Sequence, residues 1–220
     1  MNPWPIIGGV ANVVCHEDEY IKVNQGKPGD KLVLTKPLGT QVAVNLNEWA
    51  TAKNEKWQNK ASKHISQDSA KDAYYLATES MGHLNKNAAG LMQTHKCHGA
   101  TDVTGFGIRG HADNLAQVQK EEVNFKIEAL PIIDGMEKIN NEVMDFKLLQ
   151  GYSAETSGGL LIMVPPDKVF DYQSDLENTY GQKSWVIGEL VPGKERKCIF
   201  EGSNGKPDVI NVKHFIADDF

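Results

Sequence analysis

Residues 158–164, GGLLIMV, form a continuous apolar run, and this run limits what the chain can fold into. A strand with one wet face alternates in polarity, whereas an uninterrupted run suits a sheet interior. KLVLTK at 31–36 reads as a second strand. VNFKIEAL at 123–130 alternates as a half-buried one, and SWVIGELV and RKCIFE read as a hairpin around Pro192 and Gly193. Helical spacing places Ala73, Leu76, Ala77, Met81 and Leu84 on one face, with Ser66 or Asp68 as the cap. The same spacing groups Ala88, Leu91, Met92 and His95, and then Ile108, Ala112 and Leu115. Further helices are expected over 40–49, over 166–179, and behind Pro131, where a first helical turn tolerates proline and Ile132, Met136, Ile139 and Val143 follow. Residues 51–66 lack a period and read as surface. Strands and helices interleave without strict βαβ alternation, which implies an α+β fold built as a layered α/β sandwich.

GGVANVVC at 8–15 is β-branched and suits a strand, yet almost nothing precedes it to pair with, so its partners must come from elsewhere. The polar stretch NQGKPGDK at 24–31 then marks a linker. The expected division is therefore between residues 1–28 and 29–220.

Composition removes several functions. A formal charge of −6 with scattered basic residues argues against a broad grip on nucleic acid or anionic lipid, which needs clustered Lys and Arg. No apolar run approaches the roughly 20 residues of a membrane span. Three cysteines at unrelated spacings form neither a disulfide framework nor a zinc pattern. A cytoplasmic protein is expected.

GATDVTGFG at 99–107 carries the strongest chemistry. A carboxylate, Asp102, and a hydroxyl, Thr104, precede Gly105 and Gly107 at a helix entrance. Glycines let backbone approach a bulky anion, and the first amides of a helix lack internal partners. Asp102 could then hold Mg²⁺ bridging phosphate oxygens; the same spacing also suits a plain Asp or Thr cap with a glycine-rich turn. AETSGGLL at 154–161 places Ser157, Gly158 and Gly159 before the apolar run, as a binding loop or a structural turn. Glu155 stands where a nucleophile elbow needs glycine, which argues against a serine hydrolase. His95, Cys97 and His98 cluster without a second pair at zinc spacing. Lys36, beside Pro37 and Gly39, could reach a phosphate or lie in solvent.

Taken in order, NPWPIIGGVA, LTKPLGTQVAV, LNKNAAGLM, HGATDVTGFGIRGHA and ETSGGLL resemble the C-terminal two-thirds of the selenophosphate synthetase (selenide, water dikinase) family, within the aminoimidazole ribonucleotide synthetase-like superfamily. The resemblance implies an enzyme that converts ATP, hydrogen selenide and water to selenophosphate, AMP and phosphate for selenocysteine synthesis. Its cofactors would be Mg²⁺ and commonly K⁺, its form a homodimer, and its further partners selenocysteine-synthesis proteins. By the same comparison Asp102 matches the family's metal-binding aspartate, and Thr104, Gly105 and Gly107 match the loop around the nucleotide phosphates. Arg109 departs from the usual apolar residue. The family's nucleophilic cysteine or selenocysteine, its phosphate-binding lysine and its other metal-binding aspartates would lie ahead of residue 1, so a truncated form with little activity of its own is expected. Two alternatives remain: another ATP-dependent enzyme of the superfamily, and a short non-catalytic homologue that acts by dimerising or regulating.

Overall fold

The computed structural model describes residues 8–10 and 12–217. Its centre is a six-stranded sheet in the order β2-β5-β1-β6-β3-β7, formed by β1 (Lys31–Leu34), β2 (Gly99–Asp102), β3 (Val123–Ile127), β5 (Leu160–Val164), β6 (Trp185–Pro192) and β7 (Cys198–Phe200). Strand β5 is interior as expected, antiparallel to β1 on one side and β2 on the other. Its side chains divide between two cores. Leu161 and Met163 join Leu32, Leu34 and Phe125 on one face, while Ile162 and Val164 join Val33 on the other.

Helices cover both faces. The first core is closed by α1 (Thr40–Ala52), α3 (Gln67–Gly82) and α5 (Gly107–Gln117). The second is closed by α4 (Lys86–Thr94) and α7 (Val169–Tyr180), whose Ala88, Met92, Tyr172 and Leu176 pack on Val33 and Ile162. An apolar run without alternation is stable only between two such layers. Helix α3 begins where the sequence places it, with the Ser66 hydroxyl accepting the Ser69 amide. No described helix is long and apolar enough to cross a membrane.

Four expectations are corrected. Residues 8–10 and 12–15 form no strand: Val13 and Val14 are exposed, and without a ladder partner a β-branched run gains nothing from extending. Ala11 and residues 1–7, which carry the NPW motif, lie outside the described residues. Residues 51–66 are not plain surface, since α2 (Glu55–Asn59) and a 3₁₀ turn (Ala61–Lys63) bury Trp57 and Ala61. Pro131 starts no helix. It lies inside β4 (Ala129–Ile133), paired in parallel with β8 (Asp208–Val212) in a separate two-stranded sheet, where an edge position does not demand its missing N–H. The helix that follows, α6 (Met136–Ile139), opens instead at Gly135 and runs into a π turn over Asn140–Met144. Finally, β6 and β7 are not a hairpin, because β3 lies between them, antiparallel to β6 and parallel to β7.

Candidate active site at the end of β2

The two glycine-bearing segments singled out in the sequence are joined in space. Strand β2 pairs with β5 so that Asp102 faces Leu160. The chain beyond it is fastened by Val103 N–H donating to Gly159 O at 2.9 Å and Glu155 N–H donating to Thr104 O at 3.0 Å. Residues 102–107 therefore lie along residues 155–159, with α5 starting at their end. Asp102 is exposed; its carboxylate is available to a ligand.

The individual residues separate by role. Gly107 has φ 69, and a Cβ there would lie 2.3 Å from Gly151 O, so close packing alone requires glycine. Around Gly105 nothing lies within 4 Å of a built Cβ, which leaves room for a bulky anion. The Thr104 hydroxyl is 3.1 Å from His111 Nε2. His111 had no role in the sequence reading, although its position one turn into an amphipathic helix after a Thr-Gly turn was a usable signal. Burial pulls its pKa down, against the upward pull of the Asp102 charge.

Glu155 and Lys36 differ most from expectation. The Glu155 carboxylate is buried at the entrance of α1, where it accepts Gly39 N–H at 2.7 Å, Thr40 N–H at 2.9 Å and the Thr40 hydroxyl. It supplies the cap that helix α1 lacks from its own residues, and burial pushes its pKa up to about 7 against these three donors. Lys36 is neither solvated nor free to meet a phosphate, because it is 1% exposed. Its Nζ donates to Ser80 O at 2.9 Å, His83 O at 2.6 Å and Ser157 O at 2.7 Å, and burial lowers its pKa to about 8.

The histidine and cysteine cluster does not assemble. His95 Nε2 lies 2.9 Å from Asp175, His98 Nδ1 lies 2.7 Å from Asp30, and Cys97 is buried with its thiol pushed up to about 12. Among the described residues no three His, Cys, Asp or Glu side chains gather to hold a metal. Asp102 thus fits one ligand position of a hard cation, the rest of whose shell must be phosphate, water or other carboxylates. Two clefts stand out among the described residues. One of about 310 Å³ lies beside the Glu155 cap, against Thr40, Gln41, Tyr74 and Thr156. A larger one of about 840 Å³ lies across α3, between Asp72, Glu79, Asp134 and Lys213, and includes none of Lys36, Asp102, Thr104, Gly105, Gly107 or Glu155.

Residues 27–201 match the family model described as AIR synthase related protein, C-terminal domain. The chain is 47% identical over 215 residues to selenide, water dikinase 2 of Mus musculus, covering 96% of this chain and 46% of that protein. It is 45% identical over 191 residues to selenide, water dikinase of Dictyostelium discoideum, covering 86% of this chain and 52% of that protein. The chain thus spans about half the length of the curated relatives it matches. Among solved structures, hydrogenase maturation protein HypE in complex with ATP aligns with TM-score 0.59 at 15% identity, over 86% of this chain and 52% of that one. Thiamine-monophosphate kinase from Stenotrophomonas maltophilia aligns with TM-score 0.54 at 15% identity, over 88% and 54%. These two likenesses are of fold.

Proposed function

The chain belongs to the AIR synthase related family through that family's C-terminal domain, and from this premise we propose that it is the C-terminal part of a selenide, water dikinase. The whole protein would convert ATP, hydrogen selenide and water to selenophosphate, AMP and phosphate. The observation that carries this reading is the alignment of nearly the whole chain with selenide, water dikinases at close to half identity. In this reading Asp102 supplies one ligand to Mg²⁺. The turn of Thr104 and Gly105 admits the nucleotide phosphates, with Gly107 setting the start of α5 behind it. Bound Mg²⁺ would neutralise phosphate charge as it develops in transfer; the chain's own part is to hold Asp102 and the turn in place.

A single carboxylate gives little grip on such a cation, so the described residues alone are expected to catalyse weakly. Residues 1–28 are read as the tail of a preceding domain and 29–220 as the C-terminal domain. K⁺, a homodimeric form, selenocysteine-synthesis partners and a cytoplasmic location belong to the same reading. The test is an anaerobic phosphorus NMR assay on a chimera that joins the preceding half of the Mus musculus relative to residues 24–220. Selenide-dependent AMP and a selenophosphate resonance are expected, and both should disappear on Asp102→Asn. A folded chimera that yields no selenide-dependent AMP would overturn the proposal.

A further inference from the structure

The three contacts of Lys36 have an unusual composition. Each partner is a neutral backbone carbonyl, and no carboxylate offsets the charge among the described residues. An ammonium has three N–H donors, so three carbonyls satisfy it completely. Two of them, Ser80 and His83, belong to the C-terminal end of α3, where carbonyls run out of amide partners and carry partial negative charge. The third belongs to Ser157, whose φ of 48 turns the chain into the glycine pair. Neutral carbonyl oxygens replacing a hydration shell is also how proteins hold free monovalent cations.

The same turn is fixed one carbonyl at a time. Ser157 O accepts Lys36 Nζ, Gly158 O accepts Asn85 Nδ2 at 2.9 Å, and Gly159 O accepts the Val103 amide, next to Asp102. A Cβ on Gly158 would lie 2.0 Å from Val103 O, so the turn and the end of β2 move together.

We propose that the Lys36 ammonium is a tethered monovalent cation, seated in a carbonyl cage that locks the 157–159 turn to the end of α3, and that shortening this side chain opens a site for a free alkylammonium ion. Lys36 is a positioning residue. It acts on Asp102 through Ser157, Gly159 and Val103, and only the catalytic meaning of that last link rests on the function proposed above.

The test uses the full chain without nucleotide or selenide, so a failure of the dikinase reading leaves its outcome untouched. In Lys36→Ala, methylammonium chloride should raise the melting temperature above its value in tetramethylammonium chloride at equal ionic strength, because only the former carries N–H donors. The wild type should not distinguish the two salts. Hydrogen exchange of the Val103 amide should speed up by about tenfold in the variant, through local opening, and slow again with methylammonium. Identical behaviour in the two salts, or unchanged Val103 exchange, would refute the cage. Should Lys36→Ala fold in neither salt, Lys36→Met, which keeps most of the volume, decides: faster Val103 exchange that methylammonium does not correct supports the proposal, and wild-type exchange sinks it.

Discussion

Replacing Glu155 by glutamine should remove a pH dependence of stability that the wild type carries. The carboxyl is 4% exposed and accepts three hydrogen bonds at the start of α1. Burial nevertheless pushes its pKa from an ordinary 4.5 up to about 7, a gap that corresponds to roughly 3 kcal/mol. The folded protein therefore holds this proton more tightly than the unfolded chain does. Its contribution to stability is complete below pH 4.5 and is lost as the pH rises through about 7. The two amides reach different carboxylate oxygens, so a glutamine oxygen accepts only one of them and its NH2 faces the other, a fixed loss of about 1–3 kcal/mol; but glutamine has no proton to release. Urea unfolding of wild type and Glu155→Gln, followed from about pH 4.5 to about 8, should show the wild type losing roughly 3 kcal/mol relative to the variant across that window. Parallel curves would mean that the three donors fully compensate desolvation. A wild type that gains on the variant with rising pH would mean that the amides at the α1 entrance outweigh burial altogether, and either result refutes the reasoning.

Other expectations are simpler to read. Asp102→Asn, at an exposed position, should leave unfolding free energy within about 0.5 kcal/mol while weakening Mg²⁺-nucleotide binding by the chimera, read by calorimetry, about tenfold or more. Gly107→Ala should lower stability by about 1–3 kcal/mol through its positive φ and its clash with Gly151 O, whereas Gly105→Ala, in open space, should unfold like the wild type and show its effect in nucleotide affinity. Tyr172→Phe removes the 3.0 Å hydrogen bond to Ala88 O inside the second core, and should cost about 1–2 kcal/mol in a urea titration.

The layered fold was legible where side chains carried the signal. Strand β5 announced itself because both of its faces are buried, and the helices of the 66–117 region because each buries one face. Pairing was less visible. The direction of β7 against β6 was right, but the intervening β3 is fixed by contacts such as Phe125 with Cys198, which no local pattern encodes. Pro131 carried the same φ restriction whether it opened a helix or lay in an edge strand, so the wrong element was chosen. At the site, Asp102 and the glycines were legible as a motif. Lys36 was not, because its partners are backbone carbonyls 44, 47 and 121 residues away, and carbonyls leave no mark in a sequence. Glu155 did leave a sign, as a lone acid among small residues ahead of an interior strand, and its distance of 115 residues from Thr40 hid what it served.

The position of β1 at the centre of the sheet has a consequence for how the chain is made. Its neighbours, β5 and β6, both lie far downstream, with Lys31 and Glu189 separated by 158 residues. At about 5–20 residues per second of synthesis, a ribosome needs roughly 8–30 s to deliver β6 after β1 has emerged. Until β5 emerges, shortly before β6, Leu32, Val33 and Leu34, which end fully buried, have neither of their final neighbouring strands. The nascent chain thus carries a sticky strand throughout synthesis of the segment from β1 to β5, and the rate of elongation over that segment sets how long a chaperone must guard it.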